Sequence, residues 1–156
     1  MQHQKHLFNL PADITYLNLG SQSPSTKAVE KAGFDAVLQK SNPHTIKTSH
    51  YFEPVKELKK LFAQIIDVDN YNQIANIPSV SYGIATVANN IQLKKGDEII
   101  VIEEQFPSNI YIWQKLAKKY SAKIITIEGS NAKEWNKNLL TAITSKTAVV
   151  TLGNIH

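Results

Sequence analysis

The segment Ile77-Pro-Ser-Val-Ser-Tyr-Gly83 joins a proline-serine turn to an apolar, helix-patterned run. The first N–H groups of a helix have no carbonyl partner inside it, and the positive end of its dipole lies there too. That pairing suits a phosphate, and Ser79 and Ser81 can add hydroxyl donors. The simpler alternative is that one serine caps the helix. Gly83 stands alone, so the segment is neither a G-x-G-x-x-G fingerprint nor a Walker A loop. A second segment, Glu103-Glu-Gln-Phe-Pro-Ser-Asn109, puts Phe106 at a strand end, just ahead of a proline-started helix. An aromatic there can stack on a flat ring. Burial as a plug over the edge of a sheet is the commoner fate of a phenylalanine.

Other chemistries are poorly served. The five histidines (His3, His6, His44, His50 and His156) lack metal-ligand spacing on any helix. The absence of cysteine excludes disulfides, a cysteine zinc site and a thiol nucleophile. No Ser-His-Asp order stands out, and no lysine sits where burial would tune it for Schiff-base chemistry. All 17 basic residues are lysine. Arginine is the usual bidentate clamp for carboxylate or phosphate. Either these residues do no such chemistry alone, or the arginine lies elsewhere.

The elements that must position these residues follow from periodicity. Residues 1–15 read as an arm, and Tyr16–Leu19 as a short extended piece ending at Gly20. Ser25 can cap a helix to about Lys40, with Val29, Ala32, Ala36 and Val37 on one face. A second helix starts at Glu53-Pro54 and carries Val55, Leu58, Leu61, Phe62 and Ile65 as an apolar stripe, ending near Asp67. From residue 73 strands and helices alternate. Expected strands are Gln73–Ile77, Glu98–Glu103, Lys123–Ile127 and Thr147–Leu152. Expected helices are Ser81–Ile91, Pro107–Tyr120 and Lys133–Thr144, with Trp113 in the core. The pattern predicts an α/β fold, a mainly parallel sheet with helices on both faces. Ligands of such sheets bind at the carboxyl ends of the strands. Those ends deliver Ser79–Ser81, Gln105–Asn109 and Gly153–His156. The division expected is 1–67 for an N-terminal arm with its helices and 68–156 for the first part of a larger domain.

With 156 residues, 42% hydrophobic and 19% charged, the chain can build a core. No run of eighteen apolar residues is present, so no membrane-spanning helix is expected. The start has no apolar h-region, and a cytoplasmic setting is the expectation. The net charge of +4 is spread over doublets such as Lys59-Lys60, Lys94-Lys95 and Lys118-Lys119. These read as solvated faces rather than a nucleic-acid patch.

In order, Ile77–Asn90, the turn Leu93-Lys-Lys-Gly-Asp-Glu-Ile-Ile100, and Glu103–Asn109 followed by Trp113 resemble the class V aminotransferase group of fold-type I pyridoxal 5′-phosphate (PLP) enzymes. That group includes cysteine desulfurases, selenocysteine lyases, isopenicillin N epimerase-like proteins and kynureninase. Tyr16-Leu-Asn-Leu-Gly20 with Pro24 resembles its opening. The resemblance covers about residues 14–156, and only the front of a family member. It implies the three-layer large domain of that fold, incomplete in this chain. It implies that Val80 and Ser81, next to Ser79, hold the cofactor phosphate, and that Phe106 stacks on the pyridine ring. Desulfurases use histidine there, so Phe106 argues against a typical desulfurase. Asn154 and His156 match a segment running past the cofactor's other edge. The family's Schiff-base lysine, its aspartate on the pyridine nitrogen and its carboxylate-binding arginine fall beyond His156. No catalytic residue is therefore expected among these 156, and the chain alone is expected to be inactive. The implied partners are a small amino-acid substrate and a second copy as a homodimer, with neither nucleic acid nor membrane. The implied outcome is lyase, epimerase, desulfurase or transaminase chemistry. Two rivals are a Rossmann-like nucleotide-binding domain and a non-enzymatic basic interaction module.

Overall fold

Alternate side chains of the strand Glu98–Ile102 (β1) point to opposite faces, as the two-residue pleat requires. The computed structural model describes residues 3–153. Within it, β1 is the centre of a three-stranded parallel sheet ordered β2-β1-β3, with β2 at Lys123–Ile127 and β3 at Thr147–Val150. Glu98 pairs with Lys123 on one side and with Thr147 on the other. The β3 register slips by one residue, so that Ile99 faces Val149. The observed class is α/β, as the alternation of elements predicts.

Ile99 and Val101 face one layer, where they pack with Ala88, Trp113, Leu116, Ala117 and Val149. That layer is supplied by the helices Val80–Asn90 (α3) and Tyr111–Tyr120 (α4). Ile100 and Ile102 face the other, against Ile127 and the inner side of the helix Ala132–Ala142 (α5), with Trp135, Leu139 and Ala142. Ile99 and Ile100 are both fully buried. A strand covered on both faces needs a continuous apolar run, and Ile-Ile-Val-Ile supplies it. The turn before β1 closes when the Lys94 N–H donates to Asp97 Oδ2 at 2.7 Å. Gly96 there has φ +88°, a left-handed conformation that glycine adopts without steric cost.

The chain divides into two compact units, residues 1–74 and 75–156. The first holds the helices Lys27–Ser41 (α1) and Glu53–Ile65 (α2). Thr26, not Ser25, caps α1: its hydroxyl accepts from the Val29 N–H at 3.3 Å. The predicted apolar faces exist but stay uncovered, with Val29, Val37, Leu58 and Ile65 all exposed. Ala63 is the one buried hydrophobic of this unit among the described residues.

The Tyr16 hydroxyl donates to the Gln22 carbonyl at 2.7 Å and closes a turn after the predicted extended piece. Two expected elements differ. Gln73–Ile77 is not a strand. Asn70 Oδ1 accepts from the Asn72 N–H at 3.0 Å and winds Tyr71–Gln73 into a 3-10 turn, which takes up Gln73; Ile74 is extended, but the segment pairs with no strand of the sheet. The helix expected from Pro107 begins at Tyr111, after a separate 3-10 turn at Pro107–Asn109. Ile110 has φ −128° and interrupts the two.

Candidate functional site

The start of α3 is built by Ser79. Its backbone is extended, and its hydroxyl accepts from the Tyr82 N–H at 3.3 Å. The first intrahelical bond runs from the Gly83 N–H to the Ser79 carbonyl, at 3.1 Å. The N–H groups of Val80 and Ser81 therefore lie ahead of the ladder. The capping role weighed for a serine falls to Ser79, and Val80 and Ser81 remain exposed at the helix start.

A shallow concavity of about 390 Å³ lies beside that start. Ser81, Pro107, Ser108, Tyr111, Ile112 and Lys115 line it. The structure thus brings Ser81 together with the turn that follows Phe106. Phe106 is 75% exposed, so the expectation of a buried plug does not hold. The strand has already ended at Ile102, and the ring stands outside the packed layers. Lys115 adds positive charge, and Ser108 and Tyr111 add hydroxyls.

Two ties fix the loop after β1. The Glu103 N–H donates to the Ile127 carbonyl at 2.9 Å, and Glu103 Oε1 accepts from the Gly129 N–H at 3.1 Å. On the other side the Thr151 hydroxyl donates to Asn109 Oδ1 at 2.6 Å. Asn109 and Thr151 are both buried. Neither was singled out from sequence; the signal was a polar residue directly after an apolar strand, and an asparagine inside the Phe106 motif. Asn154 and His156 lie outside the described residues. Among the described residues no cluster of three or more histidine and acidic side chains can hold a metal. No helix among them is long and apolar enough to cross a membrane.

The model of the family described as aminotransferase class-V matches residues 30–156. A probable cysteine desulfurase of Ureaplasma parvum is 30% identical over 148 residues, covering 91% of this chain and 37% of that protein. A probable cysteine desulfurase of Staphylococcus aureus is 33% identical over 97 residues, covering 62% and 22%. Among solved structures, a C-DES mutant with glycine covalently linked to the PLP cofactor superposes with a TM-score of 0.77 at 22% identity, covering 97% of this chain and 40% of that one. A cysteine desulfurase from Thermococcus onnurineus gives 0.70 at 20% identity, covering 94% and 38%. The likeness to these structures is one of fold. The chain spans well under half the length of the relatives it matches. The match of the family model over 30–156 makes this chain a member of the aminotransferase class-V family.

Proposed function

We propose that these residues form the front of a PLP site in an enzyme that acts on a small amino acid. The observation that carries the reading is the exposed Phe106 ring, joined through Pro107 and Ser108 to the concavity that holds Ser81 at the start of α3. The residues fit the cofactor. Val80 and Ser81 offer unpaired-in-helix N–H groups to a phosphate, and the Ser81 hydroxyl adds a donor. Ser79 is committed to its cap and sets the angle at which those groups point. Phe106 offers a face to a planar ring and excludes water from it. Asn154 and His156 complete the other edge of the site in this reading. When bound, PLP supplies an electron sink for charge developing on the substrate.

Lyase, epimerase, desulfurase and transaminase outcomes are all compatible with these residues. The desulfurase relatives favour sulfur chemistry, whereas Phe106 in place of histidine favours another outcome. Second copies of the chain would complete the assembly as a homodimer, and the chain alone would not turn over substrate. The earlier division at residue 67, with the PLP-binding part after it, stands as part of this proposal.

Pyridoxine 5′-phosphate tests the site, because it has no aldehyde to condense with the 17 lysines. Calorimetry should show it binding at least about tenfold more tightly than pyridoxine, through the charge-assisted bonds to its phosphate. Phe106→Ala should weaken it by up to about tenfold. Equal binding of the two compounds, or tighter binding of ATP or NAD, would sink the reading in favour of a nucleotide-binding domain.

A further inference from the structure

Asn109 and Thr151 are the two buried polar residues among the described ones, and they are bonded to each other. A buried polar pair costs stability unless its bond is well made, and an apolar pair would fill the same space. What the polar pair adds is direction. The Thr151 N–H donates to the Ile100 carbonyl at 3.0 Å, so the centre of the sheet carries its hydroxyl. That hydroxyl holds the Asn109 side chain, and the Asn109 N–H donates to the Phe106 carbonyl at 2.9 Å. A continuous line of bonds therefore runs from β1 through Thr151 and Asn109 to Phe106. The Phe106 ring, 75% exposed, gains little orientation from packing of its own. A site residue on a loop keeps its geometry when its supporting contacts are locked.

We propose that Thr151, acting through Asn109, is a positioning residue for the Phe106 ring, an inference that rests on the reading of Phe106 as the stacking residue. Thr151 touches neither cofactor nor substrate in this account. It fixes the backbone from which the ring projects.

The test is Thr151→Val, which keeps the shape and removes the donor, beside Thr151→Ser, which restores it. Three readouts apply: amide exchange at Asn109, the fluorine resonance of 4-fluorophenylalanine placed at 106, and affinity for pyridoxine 5′-phosphate. Thr151→Val should speed exchange at Asn109 by about tenfold, the worth of one hydrogen bond. It should also broaden or average the fluorine signal and weaken the ligand several-fold. Thr151→Ser should return all three. Exchange in β1 reports whether the sheet is intact. Unchanged exchange and fluorine signal in Thr151→Val, with the sheet intact, overturn the inference. So does an equal loss of affinity from Thr151→Val in a Phe106→Ala background, because the effect then bypasses the ring. If Phe106→Ala alone leaves affinity unchanged, the stacking reading fails first and the inference falls with it. Exchange and fluorine signals, which need no ligand, tell these failures apart.

Discussion

The indole ring of Trp135 lies across the α-carbon of Gly129. A methyl group at Gly129 would sit inside the van der Waals radius of the ring, with Nε1 at 2.8 Å and Cγ at 2.9 Å. The ring is rigid and packs against the buried cluster of Ile100, Ile102 and Ile127. Gly129→Ala should therefore cost about 1–3 kcal/mol by overpacking. Gly83 offers the contrast. A methyl there would meet only the Cδ1 end of Ile77, a half-exposed side chain that can turn away. The helix-propensity gain from losing a mid-helix glycine is about 1 kcal/mol, so Gly83→Ala should be close to neutral. Paired urea denaturation curves check both; a neutral Gly129→Ala would contradict the packing argument.

The two serines at the start of α3 should separate by readout. Ser79→Ala removes the cap on Tyr82 and should lower stability by about 0.5–2 kcal/mol. The Ser81 hydroxyl makes no hydrogen bond to the described residues, so Ser81→Ala should leave the melting temperature nearly unchanged. It should instead weaken pyridoxine 5′-phosphate several-fold. Thermal melts and calorimetry on the same two variants would reveal a reversed pattern.

A pH effect is expected at α5. Glu134 Oε2 accepts from the Ser130 hydroxyl at 2.6 Å and from its N–H at 3.0 Å, and these bonds hold the carboxyl below its ordinary range. A depressed carboxyl stabilises the fold above its unfolded titration point and loses that contribution as pH falls through the folded one. Wild type and Glu134→Gln should therefore differ most near neutral pH and converge in acid, once the pH has fallen below the ordinary carboxylate range. Asn131→Ala removes the cap on Glu134 and should cost about 1 kcal/mol at any pH. Melting temperatures across pH give the answer, and a gap that widens in acid would refute the sign.

Truncation within β1 should be severe on both faces. Ile99→Ala and Ile100→Ala each remove a fully buried side chain and should cost about 2–5 kcal/mol. They empty different layers, so the double variant should be nearly additive. Strong coupling would mean that the two layers relax together.

The second unit was legible because its strands are largely apolar runs and two of its helices start at local caps, Ser79 and Asn131. Glu98–Ile102 and Lys123–Ile127 could be read from side-chain type alone. The serine cap at the start of α3 was legible for the same reason, since a cap is a local event, and Ser79 fills it. Taken alone a phenylalanine favours burial, but the exposure of Phe106 is decided by where the sheet ends, not by residue type. The Asn109–Thr151 bond was out of reach, because it spans 42 positions and depends on β3 landing beside β1. In the first unit the apolar stripes were legible, whereas Gln73–Ile77 was not a strand, because an extended run becomes one only where a neighbouring strand pairs with it.

The order of the strands has a consequence for how the chain completes the edge that carries the Phe106 loop. The contact of β1 with β2 closes a short loop, Glu98 to Lys123, whereas the contact with β3 closes one about twice as long, Glu98 to Thr147. The shorter closure loses less entropy and is favoured to form first. During synthesis β3 also leaves the ribosome after the other two strands. The hydroxyl of Thr151 arrives with it, so the loop bearing Phe106 is fastened on one side by Glu103 before it is fastened on the other. The edge that carries the Phe106 loop is thus completed last, when β3 brings Val149 into the core and the Thr151 hydroxyl to Asn109 in one step.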